Sequence, residues 1–141
     1  MNKSGTAVYP DVQEEKEFQR GVVSAEELLS WELSQVFEHY EVSPYQLLQV
    51  FRFLSDKAYL QPILLQAVSH IRRIFGQCPV YLEVVKDPNE GFEELFAVVM
   101  VSSTPEKAVA SLNQFDEEWF TQVQTQCTLN FTVDIVKDET V

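Results

Sequence analysis

The chain has 141 residues and a formal net charge of -12, from 22 acidic and 10 basic residues. This length fits one domain, and a hydrophobic content of 45% supplies one core. A protein with this negative charge repels nucleic-acid phosphates and anionic lipids. We therefore expect neither nucleic acid nor membrane as a partner. No apolar run approaches the roughly 20 residues of a membrane span, and the N-terminus lacks the apolar segment of a secretory signal. We therefore expect a cytoplasmic protein.

The chain divides by composition into a tail and a domain. Residues 1–22 are polar and show no sustained periodicity, which is typical of a mobile N-terminal tail. Residues 23–137 are predicted to form a single α+β domain. Within it, residues 23–76 follow a helical period and residues 78–137 follow a β-β-α-β pattern.

Three helices are predicted in the first part of the domain. A capping box at residues 24–27 begins the first helix. A second box at residues 43–46 begins the next one, with Pro44 at the first helical position. The third helix is predicted to begin near Pro62 and to end at Gly76, a glycine cap.

The period changes from helical to alternating after Pro79. Two strands are separated by a turn at residues 87–91, a long helix begins at Pro105, and a last strand follows near residues 129–137. The fold class is therefore α+β, with three N-terminal helices followed by a β-β-α-β unit and a small three-stranded sheet. The second strand is apolar on both faces, which predicts a central position or cover on both sides. Trp119 is expected to be buried on the long helix.

This second part resembles a group of uncharacterised bacterial hypothetical proteins. The shared features are the strand at residues 80–85, Asp87-Pro88, the strand at 94–99, Pro105-Glu106-Lys107-Ala108, Leu112 and Phe115-Asp116-Glu117-Glu118-Trp119-Phe120. The resemblance covers roughly residues 78–136. It implies a bacterial protein and assigns no activity, catalytic residue, cofactor or substrate.

The acidic run at residues 116–118 is the most conspicuous polar feature. Consecutive helical residues point about 100° apart, so these three cannot all bind one ion, and we expect them to face solvent. One alternative function remains open, an enzyme with a carboxylate-based, divalent-metal-dependent site. Such a site would combine Glu83, Asp116, Glu117 and Asp134.

Cys78 and Cys127 fit no metal-binding spacing and no redox pair. His70 could approach Cys78 across a helix end, but structural roles are expected for both. The sequence thus predicts no catalytic residue, no metal and no cofactor.

The second helix carries six large apolar side chains in the eight positions 47–54. No single helix face buries all six, so some of them should contact a partner protein or a second copy of the chain. The candidate partner-binding residues, excepting any that the core claims, are Tyr45, Leu47, Gln49, Val50, Phe51 and Phe53. The predicted function is a non-enzymatic protein-interaction module. An antitoxin-like, immunity-like or self-associating role is one version of it.

Overall fold

A computed structural model describes residues 25–123 and 128–136, with side chains from residue 31 onward. The predicted tail and the predicted side-chain contacts of the capping box at residues 24–27 lie outside these residues. Backbone contacts separate the chain into residues 1–31 and residues 32–141. In the first unit only the helical residues 25–31 are described, and the side-chain contacts reported below belong to the second. The predicted boundary between the tail (residues 1–22) and the domain (residues 23–137) remains a prediction.

The described residues follow the predicted order of helices and strands. The elements are α1 (Ala25–His39), a 3₁₀ turn (Pro44–Gln46), α2 (Leu47–Asp56), α3 (Leu60–Phe75), β1 (Val80–Lys86), β2 (Glu93–Val101), α4 (Pro105–Phe115), a π-helical segment (Asp116–Phe120), α5 (Thr121–Val123) and β3 (Leu129–Ile135). The predicted α+β class, with three helices before a β-β-α-β unit, is confirmed.

The three strands form one mixed sheet in the order β1-β2-β3. β1 and β2 are antiparallel and pair Val80 with Val99, whereas β2 and β3 are parallel and pair Leu95 with Leu129. The parallel pair requires a crossover, which α4 supplies. β2 therefore occupies the central position that its apolar sequence predicted.

One face of the sheet, which we call the covered face, packs against the helices in a single core. Its middle row is Leu82, Ala97 and Phe131, with exposures of 1%, 0% and 7%. The residues of this face in the core or packed against it are Val80, Leu82, Val84, Leu95, Ala97, Val99, Val101, Leu129, Phe131 and Val133. Helices α2, α3 and α4 contribute the opposing apolar side chains.

The long helix changes from α to π geometry at residues 116–120, where the sequence predicted continuous α-helix. The hydroxyl of Thr121 donates to the carbonyl oxygen of Asp116, five residues earlier, at 2.6 Å. The wider turn lets Phe115, Trp119 and Phe120 all point toward Phe131, at centroid distances of 4.9, 6.3 and 4.8 Å. The predicted burial of Trp119 is confirmed, since 8% of it is exposed.

Two glycines lie where the backbone needs a positive φ. Gly76 has φ 86° at the end of α3, and Gly91 has φ 81° in the turn between β1 and β2. In that turn a carboxylate oxygen of Asp87 accepts from the backbone N–H groups of Asn89 and Glu90. The predicted turn at residues 87–91 therefore forms with the expected chemistry.

The outer edge of β1 is occupied by groups from the segment before α2. The backbone of Glu41 donates to Val80 and accepts from Leu82, at 2.8 and 2.9 Å. Two residues further along β1, the N–H of Val84 donates to the side-chain oxygen of Gln46 at 2.9 Å. These contacts protect an edge strand that would otherwise expose unpaired donors.

The predicted capping box at residues 43–46 is not formed. Residues 44–46 make a 3₁₀ turn, and the Ser43 side chain makes no capping hydrogen bond. The side-chain oxygen of Gln46, which a capping box would direct back to residue 43, bonds to β1 instead. The sequence pattern correctly marked a helix start, with Pro44 in the first turn, but assigned the glutamine to the wrong partner.

Candidate functional site

The residues predicted as partner contacts on and before α2 separate into buried and exposed positions. Val50 is 0% exposed and Phe53 is 5% exposed, so both belong to the core and cannot serve as surface contacts in this fold. Tyr45, Leu47 and Phe51 are 79%, 50% and 49% exposed. Gln49 is also exposed.

Helical spacing explains this separation. Val50, Phe53 and Leu54 share the side of α2 that faces the core. Leu48 and Phe51, three residues apart, fall on the other side. Leu47 lies seven residues before the buried Leu54, near the same face, and is half-exposed as the first residue of α2. Together with the preceding aromatic residue they form a surface that we call the α2 strip: Tyr45, Leu47, Leu48 and Phe51. Leu48 is 60% exposed and was absent from the predicted contacts, although the helical wheel of α2 could have identified it.

The second face of the sheet, which we call the open face, carries both apolar and acidic side chains. Its apolar side chains are Tyr81, Val85, Phe96, Val98 and Met100. None of them belongs to the core that the described residues form. Tyr81 is 36% exposed and Val85 is 43% exposed, so this face differs sharply from the covered one.

A groove of about 320 Å³ joins the start of α2 to the open face. Tyr45 lies on one wall, because Gln46 ties this turn to the edge of β1. Tyr81, Val98 and Met100 from the sheet also line the groove. Its acidic lining residues are Glu83 and Asp134. The groove and the α2 strip share Tyr45 and are therefore continuous.

The four carboxylates of the alternative enzyme site are not brought together. Glu83 and Asp134 lie on the open face, by their register with Phe96 and Met100. Asp116 and Glu117 belong to the π-helical segment, whose aromatic side chains pack on the covered face. Among residues 25–123 and 128–136 there is no group of three or more His, Cys, Asp or Glu side chains that could hold a metal ion.

One member of the acidic run at residues 116–118, Glu118, pairs with α3. Glu118 accepts from Gln114 at 2.8 Å and pairs with Arg73 at 2.6 Å. These bonds, first from Gln114 and then from Arg73, lower the pKa of Glu118. Glu117 and Glu118 are exposed as predicted, whereas Asp116 is half-buried and burial raises its pKa.

Cys78 and His70 have separate partners. The Cys78 thiol donates to the carbonyl oxygen of Phe75 at 3.3 Å, and burial raises its pKa, which keeps the thiol protonated. The His70 ring stacks on Trp119 at 4.9 Å between centroids and lies beside Arg73. Cys78 also lines a cavity of about 310 Å³ with Glu41 and Arg72, but a protonated thiol is a poor nucleophile there.

Comparison of the chain with protein-family models, with curated proteins and with solved structures finds no match. Among the described residues, none of the helices has the length and apolar character needed to cross a membrane.

Proposed function

We propose that this chain is a protein-binding module and that the α2 strip is its contact surface. The observation that carries the proposal is the clustering of four large apolar side chains, all about half exposed or more, at the start of one helix. Exposing such a group to water costs free energy that contact with a partner recovers, at about 25 cal/mol per Å² of apolar surface buried. Contiguous apolar surface of this kind marks interaction sites in soluble proteins.

The proposed occupant is a different protein with an apolar patch and a basic rim. Two copies of a chain with net charge -12 repel each other as they approach, whereas a basic partner is attracted and steered. The strip is small beside the roughly 800 Å² per partner that a stable interface buries. Its neighbours, including the exposed Gln49 and the groove on the open face, would therefore complete the contact.

The described residues do not assemble the site of the alternative enzyme. The carboxylates that such a site would need lie on opposite faces of the sheet, as described above for Glu83 and Asp116. An interaction module is therefore the function that the described geometry supports best.

The test is capture of partners by the tagged full-length chain from cells of the source organism, with quantitative mass spectrometry. The double variant Leu48→Ser/Phe51→Ser removes the centre of the strip. The matched control is Val109→Ser, which removes an apolar side chain that is 53% exposed on α4. We expect a protein captured by the wild type and by the control to be lost with the double variant.

Circular dichroism must show that the double variant is folded, as expected from its exposed positions. Equal capture by all three proteins would refute the strip as the contact surface. Light scattering of the purified proteins tests the choice of occupant. A wild-type dimer that becomes monomeric in the double variant would show that the strip binds a second copy and not a different protein.

A further inference from the structure

We infer that the groove beside the α2 strip receives basic side chains from the partner, with lysine or arginine reaching Glu83 and Asp134. This inference rests on the proposed function, because the groove and the strip share Tyr45. It names the chemistry of the partner: a segment that carries apolar side chains for the strip and positive charges for the groove.

Charge complementarity is the first argument. Glu83 and Asp134 line the groove, and no lysine or arginine is among the described residues that line it. Neither carboxylate is paired in a salt bridge shown by the described residues. A carboxylate that has no cation of its own can form a charge-assisted hydrogen bond with an incoming lysine or arginine.

The aromatic lining is the second argument. Tyr45 and Tyr81 line the groove, and Met100 adds a polarisable thioether. A lysine or arginine side chain placed here would lay its aliphatic stem on apolar groups and its charge near aromatic rings. Cations are attracted to the faces of tyrosine rings, and their methylene stems cover apolar surface.

The register of the sheet sets the spacing of the two charges. Tyr81 pairs with Val98 in the middle row of the groove. Glu83 lies two residues from this row on β1, and Asp134 lies two residues beyond the same row in the opposite direction, on β3. The two Cα atoms are thus separated by about 13 Å along the strands and about 10 Å across them.

This spacing favours two basic residues over one. In an extended segment, residues four apart point to the same side and lie about 13 Å apart. Long lysine or arginine side chains at those two positions can reach the remaining distance across the strands. The residue midway between them would then lie over Tyr81 and Val98, where an apolar side chain fits.

Pairing of the segment with β1 is excluded as the main mode of binding. The N–H groups of Leu82 and Val84 on the outer edge of β1 already donate to Glu41 and Gln46. Recognition beside this edge therefore depends on side chains that enter the groove, and not on added backbone hydrogen bonds.

The test titrates a short peptide into the full-length chain and measures fluorescence anisotropy and backbone amide NMR shifts. The probe peptide has two lysines four residues apart with leucine midway; a second peptide has glutamates in place of the lysines. We expect saturable binding of the lysine peptide, amide shifts at Tyr81, Val98 and Asp134, and no binding of the glutamate peptide.

The double variant Glu83→Gln/Asp134→Asn is expected to lower the affinity for the lysine peptide by about tenfold or more, since two charge-assisted contacts are lost. The control Glu90→Gln/Glu117→Gln removes two negative charges from exposed positions outside the groove. It should change affinity less than about twofold, because exposed charges at a distance are screened by salt. An equal loss of peptide affinity in both double variants would overturn the groove as the binding site. Amide shifts centred on residues outside the groove would do the same.

These outcomes separate the two proposals. If Leu48→Ser/Phe51→Ser loses a captured partner while the groove double variant keeps it, the interaction module stands and the groove inference fails. If the groove double variant loses a captured partner while Leu48→Ser/Phe51→Ser keeps it, the strip is refuted and the groove remains. A change of mass in light scattering with the groove variant alone would show that a second copy, and not a basic partner, occupies it.

Discussion

The two faces of the sheet differ in environment, although on the central strand both are apolar. On the covered face, Leu82, Ala97 and Phe131 are at most 7% exposed. One residue away on the first two strands, Tyr81 and Val98 lie on the open face, where Tyr81 is 36% exposed. Hydrophobicity alone does not distinguish these rows on β1 and β2, whereas β3 alternates between apolar residues on the covered face and polar residues on the open face. The helices decide which face is buried, because α2, α3 and α4 direct their apolar sides to the same face.

Helix α2 shows the same contrast over two residues. Phe51 is 49% exposed and Phe53 is 5% exposed, although both are phenylalanines in the same helix. A step of two residues turns a side chain by about 200° around the helix. Placing the same substitution at each of two such positions and comparing the loss of stability tests which side chain is buried.

The largest expected effect is that of a charge placed in the core. Phe53→Glu buries a carboxylate among apolar side chains, and we expect it to cost more than about 4 kcal/mol and leave much of the protein unfolded. Phe51→Glu, at the exposed position, should change the free energy of unfolding by about 0.5 kcal/mol or less. Urea denaturation followed by circular dichroism measures both.

Equal stability of the two variants would contradict the assignment of Phe53 to the core. The ammonium of Lys57 lies 4.8 Å from the centroid of the Phe53 ring and could pair with an introduced carboxylate. One such pair does not offset the desolvation of a buried charge, so the difference between the variants should persist.

The second comparison tests the two faces of the sheet directly. Trp119→Ala removes a ring that packs against Phe115, Phe120 and Phe131 on the covered face, and should cost about 3–5 kcal/mol. Phe96→Ala on the open face should cost less, about 1–2 kcal/mol, because its ring is only partly buried and lies outside the core. A loss for Phe96→Ala as large as that for Trp119→Ala would show that another part of the chain covers the open face.

Local patterns predicted the order of elements because each pattern has a local cause. The alternation after Pro79, the glycine at residue 76 and the proline at residue 105 each restrict the backbone within one or two turns. The central place of β2 followed from its apolar residues on both sides. Burial of Trp119 followed from its position in the apolar stripe of the long helix.

The features that were missed depend on contacts between residues distant in sequence. Gln46 bonds to Val84, 38 residues away, so the capping pattern could not show its partner. The π-helical turn at residues 116–120 lets three aromatic residues reach Phe131 on another strand. Prediction of the groove needed two long-range contacts. The pairing of β2 with β3 places Asp134 beside Met100, and the bond from Val84 to Gln46 brings Tyr45 to the same cavity.

The third comparison tests the protected edge of β1. Gln46→Ala removes the acceptor for the N–H of Val84 and should destabilise the protein by about 0.5–1.5 kcal/mol. The control Gln49→Ala changes an exposed glutamine on α2 and should have almost no effect. Hydrogen exchange provides the specific measurement: the amide of Val84 should exchange faster in Gln46→Ala alone. Unchanged exchange there would show that the edge does not depend on this bond.

The smallest effect concerns the pH dependence contributed by Glu118. Bonds from Gln114 and Arg73 lower the pKa of Glu118 below its ordinary value of 4.5, so the charged form favours the folded state. This stabilisation is fully present above the unfolded pKa and is lost as the pH falls through the folded one. The melting temperature of the wild type should therefore exceed that of Glu118→Gln at pH 7, and the gap should close in acid. Glu117→Gln, at the neighbouring exposed position, provides the matched control. A gap that stays constant from neutral to acid pH, or one that Glu117→Gln reproduces, would show that the ionised Glu118 carboxylate does not join α3 to the π-helical segment in solution.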